Sequence, residues 1–139
     1  MKKRKSLDEE HYRRLADFRY ALRRFLRFSE DACRKAGIPP TQYQLLLFVQ
    51  AFPGVRPTVA DLAERLQSRH QSTVGLIDRC VRAGFVERER DAKDGRLVRL
   101  RLTRAGERLL ARLVLEHYRG VAELRKAVPR SLPFRLPPK

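Results

Sequence analysis

Residues Leu15, Phe18, Leu22, Phe25, Ser29, Ala32 and Ala36 recur three and four positions apart through SLDEEHYRRLADFRYALRRFLRFSEDACRKAG. This stripe of apolar and small residues has heptad spacing and predicts a helix over residues 6–36. Ser6 and Glu9 stand at capping-box spacing at its start, and Gly37 follows its end, so both limits are marked. Roughly thirty residues at about 1.5 Å each make a rod near 45 Å long. A seam of that length calls for a helical partner, and a second copy of the chain is the natural candidate.

Shorter patterns follow. After Pro39 and Pro40, Thr41 and Gln44 repeat the capping-box spacing ahead of Leu45, Leu46, Phe48 and Val49, and Pro53 with Gly54 stops the run. TVADLAERL predicts a third helix, with Thr58 as cap, Asp61 in the first turn, and Val59, Leu62, Ala63 and Leu66 on one face. Only Gln67 and Ser68 separate it from RHQSTVGLIDRCVRAG, which is expected to start from a Ser68 cap and to end at Gly84. Two short helices joined this tightly read as a helix-turn-helix. Val74, Ile77 and Val81 form the expected buried stripe of the second one, and its polar residues gather near its start.

Next, the period changes from helical to alternating. Phe85 to Arg90 reads as a strand, Asp91 to Arg96 as a turn built on Asp94 and Gly95, and Val98, Leu100 and Leu102 as the inward positions of a return strand with Arg99 and Arg101 outward. Thr103 is expected to cap a last helix, 103–128, with Leu109, Leu110, Leu113, Val114, Val121 and Leu124 on one side and Pro129 as its stop. The tail PRSLPFRLPPK, 129–139, holds too many prolines to continue a helix. The fold class expected is therefore mostly α with a small β-hairpin: a winged helix-turn-helix core, 41–102, between two long helices, all in one domain spanning 1–139.

Charge then suggests a partner. Against 16 Asp and Glu the 139 residues carry 32 Lys and Arg, a formal net charge of +16. An excess this large and one-signed points to a polyanion. A recognition helix meets base edges with its N-terminal residues, so the candidate DNA contacts there are Ser68, Arg69, His70, Gln71, Ser72 and Thr73, with Arg79 further along. Arg can pair with guanine and Gln with adenine, while Ser and helix-start amides suit phosphate. On the hairpin the candidates are Arg88, Arg90, Lys93, Asp94 and Arg96. Arg96 is expected at the tip, in a minor groove, and Asp94 is expected to hold it through a charge-assisted hydrogen bond.

Other chemistries find little purchase. Cys33 and Cys80 lie far apart without a CxxC, which fits a reducing cytoplasm and two small core residues. His11, His70 and His117 occur singly, without metal-ligand spacing, so no metal and no cofactor is expected. The longest apolar run, Leu45 to Val49, is too short for a membrane. No phosphate-binding glycine loop, paired carboxylate or nucleophile with its base is recognisable.

The order of these pieces resembles the multiple-antibiotic-resistance regulator (MarR) family of bacterial winged-helix repressors. The resemblance covers about residues 8–127 and is strongest in DGRLVRLRLTRAG, where Asp94, Arg96, Leu102, Thr103 and Gly106 look like the family's wing signature; VADLAERL and RHQSTVGLIDRCVRAGFVERE support it. It implies a cytoplasmic, nucleoid-associated homodimer joined through its first and last helices. Recognition helix 69–83 would lie in the major groove of a pseudo-palindromic operator and wing 91–96 in the minor groove. Release by a small-molecule effector is left open, with Tyr20, His117 and Tyr118 as conceivable contacts. Members usually end in a further helix where this chain has its proline-rich tail, so a smaller or differently closed interface is expected. The competing reading is a non-specific architectural nucleic-acid binder that acts through charge alone.

Overall fold

In the computed structural model, which describes residues 7–131, the elements are α1 (Glu9–Ala36), α2 (Pro40–Ala51), α3 (Val59–Leu66), α4 (His70–Arg82), β1 (Val86–Arg90), β2 (Val98–Leu102) and α5 (Arg104–Ser131). This is the mostly helical chain with one small hairpin that the sequence predicts. It divides into two compact units, one formed by the chain up to Ala32 together with Glu116 onward, the other by Cys33–Leu115.

Some helix starts depart from the expectations, each for a local reason. Ser6 lies outside the described residues, and α1 begins at Glu9, where the Asp8 carboxylate accepts the His11 N–H at 3.1 Å. That bond, followed by the facing His11 ring, holds the Asp8 carboxyl below its ordinary value. α2 starts at Pro40, not at a Thr41 cap, because proline at the first position brings a preset helical φ and no amide to satisfy. At α3 the expected Thr58 cap is present in full: its hydroxyl accepts the Asp61 N–H, and the Asp61 carboxylate accepts the Thr58 N–H at 2.9 Å. α5 runs two residues beyond Pro129, to Ser131. Proline's fixed φ is itself helical, so it costs a hydrogen bond without forcing a stop in the final turns.

The core of the Cys33–Leu115 unit gathers Leu45 and Leu46 of α2, Leu62 of α3, Ile77 of α4, Leu100 of β2 and Leu113 of α5. In α4 the stripe is phased differently from the expected one: Thr73, Leu76, Ile77 and Cys80 are buried, while Val74 and Val81 are only half-buried flanks. β1 and β2 pair antiparallel, with Val86 opposite Leu102 and Arg90 opposite Val98. A bridge from Thr58 to Arg99, with the Leu100 N–H donating to the Pro57 carbonyl at 2.9 Å, fastens β2 to the segment before α3.

At the base of the hairpin, the Thr103 hydroxyl donates to the Gly84 carbonyl at 2.6 Å and accepts the Gly106 N–H at 3.1 Å. The Thr103 N–H donates to the Phe85 carbonyl. α5 starts so close to Phe85 that a Cβ on Gly106 would lie 2.2 Å from the Phe85 carbonyl oxygen.

The other unit packs Phe25 and Phe28 of α1 edge-on to the His117 ring of α5. His117 is buried and its Nε2 lies 2.7 Å from the Ser29 hydroxyl. Gly120 admits Phe28, whose Cδ1 would lie 2.4 Å from a Cβ there. A cleft of about 690 Å³ opens in this unit, with Tyr20, Arg24 and Arg119 among its walls. Several expected seam residues face outward instead: Leu15 is 54% exposed and Val121 40%. No helix among the described residues is long and apolar enough to cross a membrane.

Two of the helical glycines, Gly75 and Gly106, give a test. Alanine ordinarily stabilises a helix interior by about 0.5–1 kcal/mol over glycine. Gly75→Ala, whose Cβ would meet only Arg79 Nη1 at 3.7 Å, is expected to raise the unfolding midpoint or leave it unchanged. Gly106→Ala is expected to lower stability by about 1–3 kcal/mol, read from denaturant unfolding.

Candidate nucleic-acid interface

The start of α4 is shaped by what its neighbours do not supply. Its N-cap is Arg69, whose side chain makes no capping hydrogen bond, and the first turn holds no acidic residue. The expected Ser68 cap is absent because the Ser68 hydroxyl turns to Thr73 Oγ1, 2.7 Å away. Thr73 in turn donates to the Arg69 carbonyl at 2.9 Å and is fully buried. Thr73 is therefore a packing residue that locks the turn into the helix, and its side chain cannot reach a ligand. Arg69, His70, Gln71 and Ser72 are all exposed around the uncapped amides, and Arg79 is exposed two turns on. First-turn amides with the positive end of the helix dipole favour an anion.

The hairpin separates its charges by position. Glu87 stands opposite Arg101 and Glu89 opposite Arg99 in the strand register. Arg101 contacts both Glu87 at 2.6 Å and Glu89 at 2.7 Å, and Arg56 also reaches Glu89. Arg99 donates to the Asp91 carboxylate at 2.5 Å and to the Arg56 carbonyl at 2.6 Å. Arg88 pairs with Asp78 of α4. Arg88, Arg99 and Arg101 are thus paired on the surface of the hairpin by cross-strand and neighbouring carboxylates. Arg90, Lys93 and Arg96 are exposed and carry no ion pair among the described residues. They cluster at the tip.

Asp91, which sequence reasoning passed over, organises that tip. One carboxylate oxygen accepts the N–H groups of Lys93 and Asp94 at 2.8 and 2.9 Å while the other takes Arg99. Its signal was available, since aspartate two and three residues ahead of amides in a turn is the Asx pattern. Asp94 does hold Arg96, but through the backbone: its carboxylate accepts the Arg96 N–H at 3.0 Å, which leaves the guanidinium free. The Leu97 N–H donates to the Asp94 carbonyl and closes the turn.

Both cysteines are buried and neither forms a disulfide, and burial pushes the Cys80 thiol up to about 11. A thiol so protonated is a poor nucleophile. Burial likewise raises Tyr43. Among the described residues no group of three His, Cys, Asp or Glu side chains is placed to hold a metal ion.

The MarR family model matches residues 36–97, which runs from the end of α1 to the hairpin turn. A search of curated protein sequences finds no match. Among solved structures, a MarR family protein from Bacillus stearothermophilus is similar over 88% of this chain and 84% of its own, with TM-score 0.73 and 24% identity. Wild-type MarR from E. coli in its apo form gives TM-score 0.68 at 21% identity, over 79% of this chain and 80% of its own. A mutant of S. aureus MepR bound to an oligodeoxyribonucleotide gives 0.66 at 21% identity, over 80% of each chain. The chain has the winged-helix fold of MarR-family transcriptional regulators, as the wing signature and its flanking helices suggest.

The Asp91 network predicts a pH response of known sign. The hydrogen bond from Arg99, then the N–H groups of Asp94 and Lys93, hold its carboxyl at about 2. A lowered carboxyl stabilises the folded hairpin above the unfolded value near ~3.9, and the contribution is lost as pH falls through about 2. At neutral pH Asp91→Ala is expected to speed hydrogen exchange of the Lys93 and Asp94 amides. The carboxyl resonance of Asp91 in the wild type should titrate near 2, and a midpoint near ~4 would refute the network.

Proposed function

We propose that this chain is a sequence-specific DNA-binding transcriptional regulator, a cytoplasmic repressor that places two copies of its Cys33–Leu115 unit on a pseudo-palindromic operator. The observation that carries the reading is the sorting of charge on the hairpin: Arg88, Arg99 and Arg101 are paired with carboxylates, while Arg90 at the end of β1 and Lys93 and Arg96 in the turn carry no ion pair among the described residues. A non-specific binder gains from every exposed cation, whereas a rigid tip with one backbone-held arginine suits a narrow groove. In this reading Arg69, His70, Gln71, Ser72 and Arg79 meet the major groove, Ser68 supports the turn, and Arg96 enters the minor groove beside Lys93 and Arg90. Arg88 serves the hairpin through Asp78 and contributes at most through charge.

A homodimer joined through α1 and α5 follows from the apolar side chains those helices leave exposed, including Leu15, Leu26, Tyr118 and Val121. Side chains of this size standing outward on long helices mark an association face. The MarR-family likeness and the oligonucleotide bound to the MepR mutant support the same assignment.

Selection of bound duplexes from a random pool at moderate salt tests this function, with the mass of the complex measured by light scattering. An inverted repeat with half-sites about one helical turn apart, bound by two chains, is expected. A pool that stays random would overturn the assignment in favour of a charge-driven binder. On the selected site Arg96→Ala should cost about 1–3 kcal/mol, with a smaller loss on random duplex. Equal losses on both would remove Arg96 from specific readout.

A further inference from the structure

The first turns of α5 carry Arg104, Arg108 and Arg112, all exposed and four residues apart. On a helix such residues step about 6 Å along the axis and about 40° around it, so the three form one ridge. Gly106, Leu109, Leu110 and Leu113, the buried residues of the same stretch, lie on the opposite side, and Ala105 and Ala111 flank the ridge. Glu107 is the one carboxylate between 104 and 112, and it is exposed without an ion pair among the described residues. None of the three arginines is paired either, in contrast to Arg88, Arg99 and Arg101.

Position separates this ridge from the interface described above. The bonds of Thr103 to Gly84 and Phe85 place the start of α5 at the base of the hairpin, just past the last turn of α4. The hairpin tip and the start of α4 lie at the opposite ends of those elements. Five strand residues span about 17 Å, and thirteen helical residues about 20 Å.

We propose that the Arg104–Arg108–Arg112 ridge is a second DNA-binding surface, which holds the phosphate backbone of a duplex other than the one seated on α4 and the wing. One molecule then bridges two DNA segments. Guanidinium forks bind phosphate oxygens in pairs and keep their charge at any physiological pH. A row of cations at regular spacing suits a row of phosphates, and side chains without internal partners lose no ion pair on binding. The proposal goes beyond operator recognition, which needs only the tip and α4.

The test is co-capture by the full chain of two random-sequence duplexes, one immobilised and one fluorescent. The triple variant Arg104→Gln, Arg108→Gln and Arg112→Gln is compared with a charge-matched control, Arg19→Gln, Arg23→Gln and Arg27→Gln on α1. Wild type should bridge. The α5 variant should still bind the immobilised duplex but carry the fluorescent one at least about tenfold less well, and the salt slope of second-duplex capture should fall by up to about 2.7. The α1 control should stay within about twofold of wild type. Equal bridging by the α5 variant, an equal loss in the control, or no bridging by wild type would each overturn the proposal. Failure of the operator reading would show separately, as absence of sequence preference on the first duplex.

Discussion

Thr103 ties together three elements of the Cys33–Leu115 unit: α4, the hairpin and the start of α5. Its hydroxyl bonds Gly84 at the end of α4 and caps α5 through Gly106, while its amide bonds Phe85 at the foot of β1. α4, the hairpin and α5 therefore share one junction a few residues wide. Gly106 is part of that constraint, because the Phe85 carbonyl occupies the space that any Cβ would need. A hairpin anchored this way cannot swing on a flexible stem, and its tip holds a fixed direction relative to α4. Groove binding by two elements at once requires that fixed relation.

Excess charge is the second theme, and the fold treats it unevenly. A chain at +16 repels itself, so pairing some arginines and freeing others is a structural decision. Within the hairpin, four carboxylate-bearing positions absorb the strand arginines: Glu87, Glu89 and Asp91, with Asp78 from α4. Surface pairs of this kind add little stability singly. Their effect here is to fix the guanidinium groups of Arg88, Arg99 and Arg101 in place. Asp91 does most to shape the tip, since it bonds two turn amides and an arginine that also reaches the Arg56 carbonyl.

Much of this was legible in the sequence, for physical reasons that differ by element. The Thr58 cap, the Gly37 and Gly84 helix ends and the alternation of β2 rest on local chemistry, and local chemistry decides them. Gly37 and Gly84 both take positive φ as required. Ser68 and Thr41 failed as caps because a partner lay nearer than the amide: a buried Thr73 hydroxyl in one case, a proline at the first position in the other. The shifted stripe of α4 has a similar origin. Valine outranks threonine and cysteine on hydrophobicity, but Thr73 satisfies its hydroxyl within its own turn and Cys80 is small, so both enter the core where Val74 and Val81 do not. The paired state of Arg101 was hidden because strand register sets Glu87 opposite it, and that of Arg99 because the turn brings Asp91 back to its guanidinium.

Two kinds of exposed surface, apolar and cationic, occur in the chain. Apolar side chains stand out from the unit that contains most of α1 and the end of α5, and free cations stand out from α4, the tip and the start of α5. Apolar area is costly in water and relieved by another apolar face. Like charges are costly to one another and relieved by a polyanion. Neither feature is confined to one unit: Arg19, Arg23 and Arg27 of α1 are exposed cations, and Val55 and Leu115 are exposed apolar side chains of the Cys33–Leu115 unit. Binding linkage makes the consequence general: a partner that binds only the folded chain stabilises it by the logarithm of its concentration over its dissociation constant. Under the proposed function, duplex DNA would stabilise the folded winged unit by this relation.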